Sequence, residues 1–194
     1  MFLTLCRLSG RTEPVNVMME WGPGGGANAV AFSSLVSHYI GVDISQANLD
    51  ECQRQLQLKA YNGFRPILID AERPEECAAA IGGAKVDFFL STAVYQHFPG
   101  KAYGATVTRT AAKLLRDGGL AIIQIRYDDG SEVVRAKTRD YFENAISFTS
   151  YRVDEFWTLC KDVGLEPLAV TLECKASYAY FLLRKSIGSE AHGR

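Results

Sequence analysis

Short, unbroken apolar runs alternate along this chain with stretches whose apolar residues recur every three to four positions, the pattern of stacked strand–helix units. Val15 to Trp21 is the first run, and it stops at Gly22-Pro23-Gly24-Gly25-Gly26, a strand followed by a turn. Ala27 to Val36 suits a helix, and Tyr39 to Val42 a second strand ended by Asp43. Ser45 then stands as N-cap of a helix that puts Leu49, Cys52 and Leu56 on one face. Pro66 to Ile69 gives a third strand ended by Asp70, and Pro74-Glu75-Glu76 a first helical turn, with proline at its start and acids at its positive end. Val86 to Leu90 is a fourth strand ending in Ser91-Thr92. The next helix shows Tyr103, Val107, Ala111 and Leu114 on one side, with Gly118-Gly119 as its C-cap, before a fifth strand, Leu120 to Ile125. Strands that are apolar throughout imply a sheet covered on both faces.

The last third departs from this alternation. Residues 128–150 are polar and irregular, which predicts a long loop or small insert. Val153, Phe156, Trp157, Cys160 and Val163 mark an amphipathic helix ended by Gly164, with Trp157 expected in the core. Leu168 to Leu172 and Tyr178 to Leu183 are two strands joined by a turn around Lys175-Ala176-Ser177, with Tyr178 and Tyr180 alternating with Ala179 across the sheet. No crossover helix fits in so short a link, so the pair is a hairpin and one of its strands runs antiparallel to the sheet.

Composition changes this picture little. A length of 194 residues suits one domain over 1–194, and a formal net charge of −1 leaves no electrostatic footprint for nucleic acid or an anionic membrane. The five cysteines (Cys6, Cys52, Cys77, Cys160, Cys174) are scattered and odd in number, and with three histidines they form neither a disulfide framework nor a metal cage. No apolar stretch approaches the ~20 residues of a membrane span. The expectation is a soluble protein of a reducing compartment, cytoplasmic, with no metal.

The chemistry concentrates at strand ends. In Glu20-Trp21-Gly22-Pro23-Gly24-Gly25-Gly26 the glycines let the backbone turn sharply and approach a ligand. Asp43 lies 21 residues beyond Gly22 at the tip of the second strand, where an acid can accept both hydroxyls of a ribose. Gly22 to Ala27 also fits the G-x-G-x-x-A pattern of dinucleotide enzymes. Three features separate the two classes. Glu20 would repel a pyrophosphate but welcome a sulfonium and an amino group. Asp70-Ala71 offers an acceptor to an adenine amine. The third is the terminal hairpin.

On these residues the chain resembles the class I S-adenosylmethionine-dependent methyltransferases, small-molecule type. Glu20-x-Gly22-x-Gly24-x-Gly26 is similar to their first motif, Asp43 to their ribose acid and Asp70-Ala71 to their adenine pair. Val86 to Ser91 resembles their fourth strand and Leu115 to Leu120 the approach to their fifth. The resemblance implies a doubly wound α/β sheet of seven strands, order 3-2-1-4-5-7-6, the last antiparallel. It implies S-adenosylmethionine as cofactor, bound by Glu20, Gly22, Gly24, Gly26, Asp43, Ile44, Asp70, Ala71, Ser91 and Thr92. The family carries helices before its first strand; here residues 1–14 form only a short extension, which leaves a truncated start or a more open cofactor pocket as expectations.

The sulfonium is already activated, so catalysis is mostly alignment, and a base is needed only where the acceptor holds a proton. His97, past the fourth strand, is the candidate base, with packing of the following loop as its bland role. Tyr95, Gln96, Arg126, Tyr127 and Tyr151 are candidate contacts to a small-molecule acceptor reacting at oxygen or nitrogen. Two alternatives remain at this stage. One is a nicotinamide-dependent reductase, which lacks its Tyr-x-x-x-Lys pair here; the other is a non-catalytic partner protein of the same fold.

Overall fold

A central strand must be apolar on both faces, and the first strand, β1 (Val17–Trp21), is: its last four residues are buried. It pairs in parallel with β2 (His38–Asp43) on one edge and β4 (Val86–Ser91) on the other. The computed structural model describes residues 1–137, 139–145 and 148–188. With β3 (Phe64–Leu68), β5 (Leu115–Arg126), β6 (Leu165–Glu173) and β7 (Tyr178–Lys185), these strands form one sheet in the order 3-2-1-4-5-7-6. β7 runs antiparallel to both β5 and β6, as the short link requires. The antiparallel strand removes the reductase alternative, which needs a parallel one.

Helices cover both faces. Met19, Trp21, Phe89, Ile123 and Phe181 pack with Val107 and Ala111 of α5 (Lys101–Leu114) and with Phe156 and Cys160 of α7 (Val153–Asp162). Met18, Tyr39, Phe88, Ile122 and Leu182 meet Ala29 of α2 (Ala27–Phe32), Cys52 and Leu56 of α3 (Gln46–Gln57) and Leu5 of α1 (Phe2–Leu8). The Ser45 hydroxyl accepts from Asn48 N, so α3 begins at its expected cap. Pro74–Glu76 forms a 3-10 turn that leads into the short α4 (Cys77–Ala80). The helix expected over 27–36 stops at Phe32, where the Ser33 hydroxyl donates to the Val30 carbonyl and competes with the helical pattern.

Two expectations are corrected. Gly118-Gly119 is not a helix cap: α5 ends at Leu114 and the chain enters β5 at once. The glycines lie in a bulge between the pairs Val86–Leu115 and Phe88–Leu120, with Gly118 at φ +70°. Trp157 is not core but 37% exposed, because α7 turns Phe156 and Cys160 inward instead. The short extension over residues 1–14 holds α1 and packs on the sheet. Phe2 stacks edge-on against Phe32 and Phe88, with ring centroids 5.1 and 5.0 Å apart. Beyond α1, Asp87 clasps the chain: Asn16 N and Val17 N donate to Oδ2 at 2.7 and 2.8 Å, and Arg116 sits 2.8 Å from Oδ1. Both outer strands carry a proline, Pro66 in β3 and Pro167 in β6, and β6 slips register just after it.

Residues 128–150 hold the short α6 (Tyr141–Asn144), and their last described residues, 148–150, are buried. Tyr151 follows, wedged against Gly104 of α5, where a β-carbon would stand 2.0 Å from the Tyr151 hydroxyl oxygen. Gly104→Ala is therefore expected to destabilise the protein by about 1–3 kcal/mol through overpacking, more than the ~1 kcal/mol that alanine gains in a helix. Adding Tyr151→Phe removes the nearest clashing atom and should recover part of the loss. Urea midpoints of the single and double variants check this.

Candidate active site

All the parallel strands end at one edge, and the segments that leave them carry the candidate residues. After β1 the chain turns through Gly22 (φ +76°), Gly24 (+52°) and Gly26 (+86°), angles that favour glycine. A β-carbon on Gly22 would lie 2.4 Å from Val94, and one on Gly26 3.0 Å from the Cys52 backbone. A β-carbon on Gly24 would meet nothing within 4 Å beyond its own chain neighbours. The turn thus packs tightly at its two ends and stays open at its middle, the shape a ligand lying against backbone needs.

Glu20 is buried at the end of β1. Its Oε2 accepts from the Tyr39 hydroxyl at 2.5 Å and its Oε1 from Asn28 Nδ2 at 2.6 Å. Burial pushes the carboxyl up to about 7 despite these two donors, which pull it the other way, and Asp43 adds to the rise. Asn28 also donates to Thr92 Oγ1 at 3.1 Å, linking β1, α2 and the end of β4. Neither Asn28 nor Tyr39 was singled out from sequence. Tyr39 lies two residues before Gly41, the register partner of Glu20, so the phenol sits diagonally across from the carboxylate, and only the register reveals it.

Asp43 closes β2, largely buried. Its Oδ1 accepts from Ser45 N at 2.9 Å and its Oδ2 from Asn48 Nδ2 at 3.2 Å, which orients the carboxylate and leaves lone pairs over. Ile44 beside it is exposed. Asp70, past β3, accepts from Glu72 N (2.9 Å) and from Arg73 (2.8 Å), which hold its carboxyl below the usual range; Ala71 is exposed. Ser91 ends β4. It is fully buried and donates to the Trp21 carbonyl at 3.2 Å, pinning β4 to β1. Thr92, next along, is half-buried.

The 3-10 turn Tyr95–His97 follows. Tyr95, a candidate acceptor contact, has its ring fully buried against Phe98, Tyr151 and Phe156, and its hydroxyl meets Thr108 Oγ1 at 2.9 Å. Tyr151, the candidate from the end of the insert, belongs to the same buried aromatic cluster. His97 is half-buried. Its Nδ1 lies 2.7 Å from the Ala145 carbonyl, so Nδ1 carries the proton and Nε2 accepts, here from the Gln96 amide at 3.3 Å. Gln96 is itself buried, and Thr149 N donates to its carbonyl. His97 thus ties the insert to the turn, with one ring nitrogen on Ala145 and the other on Gln96.

Arg126, at the end of β5, is turned inward. It donates to the Val133 carbonyl within the insert, and burial lowers its pKa. Tyr127 is half-buried and shares a groove of about 850 Å³ with Asp128, Arg152 and Trp157. Among the described residues no group of His, Cys, Asp and Glu is arranged to hold a metal ion, and no helix is long and apolar enough to cross a membrane.

A family model described as a methyltransferase domain matches residues 19–123, from β1 through β5. The chain belongs to the class I S-adenosylmethionine-dependent methyltransferases. Solved structures share the fold of this methyltransferase. One is a S-adenosylmethionine-dependent methyltransferase from Clostridium acetobutylicum, with a TM-score of 0.74 at 12% identity, covering 95% of this chain and 89% of its own. Another is the 1,6-didemethyltoxoflavin-N1-methyltransferase of Burkholderia thailandensis, with a TM-score of 0.70 at 21% identity, covering 95% and 76%. A third, from Bordetella parapertussis, is described as a possible exported protein. It has a TM-score of 0.71 at 12% identity, and this methyltransferase spans 66% of its length. No curated protein matches the sequence.

Glu20 gives the methyltransferase a pH signature. Its folded pKa, about 7, stands above the ordinary 4.5, so its contribution to stability is full below pH 4.5 and is lost as pH rises through 7. Glu20→Gln keeps the shape and abolishes this dependence. Between pH 5 and pH 8 the ligand-free protein should lose about 1–3 kcal/mol relative to that variant, read from paired denaturation curves.

Proposed function

We propose that this methyltransferase transfers a methyl group to an oxygen or nitrogen of a small molecule, with His97 removing the proton that the acceptor sheds. The observation that carries the reading is the His97 ring. Its Nδ1–H is held by the Ala145 carbonyl, which makes Nε2 the accepting nitrogen on the ligand edge of the sheet; the Gln96 amide meets it at 3.3 Å, and an acceptor hydroxyl would take that amide's place. Bound S-adenosylmethionine supplies an activated methyl, and the protein's share is alignment and proton removal. The open side of Gly24 accommodates the cofactor against backbone, and Asp43 accepts its ribose hydroxyls. Ile44 and Asp70-Ala71 border the adenine side, and Thr92 faces the other end.

Tyr127 and Trp157 offer aromatic faces to a planar acceptor beside β5. The Burkholderia thailandensis neighbour holds a small-molecule acceptor together with S-adenosylhomocysteine, and the same kind of partner suits this chain. A net charge of −1 gives no basic footprint for nucleic acid or for an anionic membrane surface. The five cysteines, all free, suit a reducing cytoplasm.

Asp43→Asn keeps the size of the ribose ligand but removes its charge. The affinity for S-adenosylhomocysteine should fall by about tenfold or more, the worth of one charge-assisted hydrogen bond. Calorimetry measures it, and an unchanged affinity overturns the ribose role.

His97→Ala should lower turnover by about 10²–10⁴-fold and leave cofactor affinity near wild type. Gln at the same position hydrogen-bonds but cannot cycle a proton, so it should be nearly as impaired. The assay follows label from methyl-labelled cofactor into a metabolite extract and then into the acceptor it identifies. Full activity in both variants would remove the base and leave alignment alone.

A further inference from the structure

Glu20 is attached to the rest of the site by more than its own strand. Tyr39, Glu20, Asn28 and Thr92 form one chain of hydrogen bonds that runs from the core to the half-buried rim of β4. Asn28 is the hinge of that chain. One amide nitrogen donates both to Glu20 Oε1 and to Thr92 Oγ1, so both its hydrogens are committed and the orientation of the amide is fixed. This leaves the Asn28 carbonyl oxygen and the Thr92 hydroxyl hydrogen for whatever lies above the glycine turn. Tyr39 is committed too: fully buried, it stays a neutral donor because burial and the neighbouring Glu20 push its pKa upward.

We propose that Tyr39 and Asn28 are positioning residues that hold the Glu20 carboxyl beside the glycine turn, so that when it ionises its charge favours the sulfonium cofactor over the thioether product. The inference rests on the cofactor lying over that turn. S-adenosylmethionine carries one positive charge more than S-adenosylhomocysteine, and a buried carboxylate acts on that difference in a medium far less polar than water. Methyl transfer removes the charge, so the carboxylate that holds the reactant does not hold the product. The other titratable groups that reach Glu20 are Tyr39 and Asp43 on β2 and Cys52 on α3. None is a cation. Burial pushes Cys52 up to about 12, so it stays a neutral thiol, and the charge on Glu20 has no internal counter-ion among these groups. A bound sulfonium would provide one.

The sign of the pH dependence follows. Below pH 7 Glu20 is protonated and the two ligands are held alike; above it the carboxylate forms and favours the cation. The test is calorimetry of the full chain with S-adenosylmethionine and S-adenosylhomocysteine from pH 6 to 8.5, read as the ratio of the two dissociation constants, in which groups that act equally on both ligands cancel. In the wild type the ratio should move by about tenfold in favour of the sulfonium between pH 6 and 8. Tyr39→Phe keeps the ring but removes a donor that favours the carboxylate, so the midpoint should rise by about one pH unit. Asn28→Ala should move it the same way, and Glu20→Gln should flatten the profile. A role for Tyr39 and Asn28 in packing alone would lower melting temperatures and leave the midpoint in place, which overturns the proposal. A flat wild-type ratio with both ligands bound overturns it as well. If the wild type binds neither ligand, the cofactor reading itself falls, and that outcome is distinct from the other two.

Discussion

Strand β1 has hydrogen-bonded neighbours on both edges and apolar side chains on both faces, so a polar group at its end cannot reach water without leaving the sheet. Glu20 stands there. The fold must either keep its carboxyl neutral or surround it with donors, and it does part of each: burial raises the pKa while Tyr39 and Asn28 hold the oxygens. The glycine turn begins two residues later because the chain has to reverse over Val94 and Cys52 in the little room they leave. A charge in the wrong medium, its donors and a tight turn are therefore one arrangement.

The sequence made much of this arrangement legible. Unbroken apolar runs between turn signals mark every strand, and the short link around Ala176 leaves only a hairpin for the last two. Glu20, the glycines and Asp43 stand out because residues close in sequence share one strand end. What stayed hidden depends on residues far apart. Tyr95 looks like a pocket residue in sequence because it follows a strand end, and Tyr151 because it closes the insert, yet their rings meet edge-on across 56 positions and both lie against Phe156. The partners of Glu20 were hidden for the same reason, since no period of 2 or 3.6 connects residues 20, 28 and 39.

Boundaries followed local competition. Gly118-Gly119 carries the composition of a helix cap, but the apolar residues Leu114 and Leu115 had already drawn the chain into the sheet, and the glycines serve a bulge instead. The polar segment after β5 reads as a solvated loop, whereas Arg126, Thr149 and His97 tie it by hydrogen bonds to the sheet and to the turn that follows β4. Polar composition there serves internal bonding at these points, while many residues between them remain exposed.

The prolines of the two outer strands bear on a different hazard. An open sheet ends in two rows of unused backbone donors and acceptors, and such an edge is a template for another chain. Pro66 in β3 and Pro167 in β6 each take one donor out of that row, and the register slip beside Pro167 bends the row as well. An incoming strand would meet a gap at either end. A sheet of seven strands can thus stay at seven, and the same chain at high concentration is guarded against growing edge to edge into a fibre.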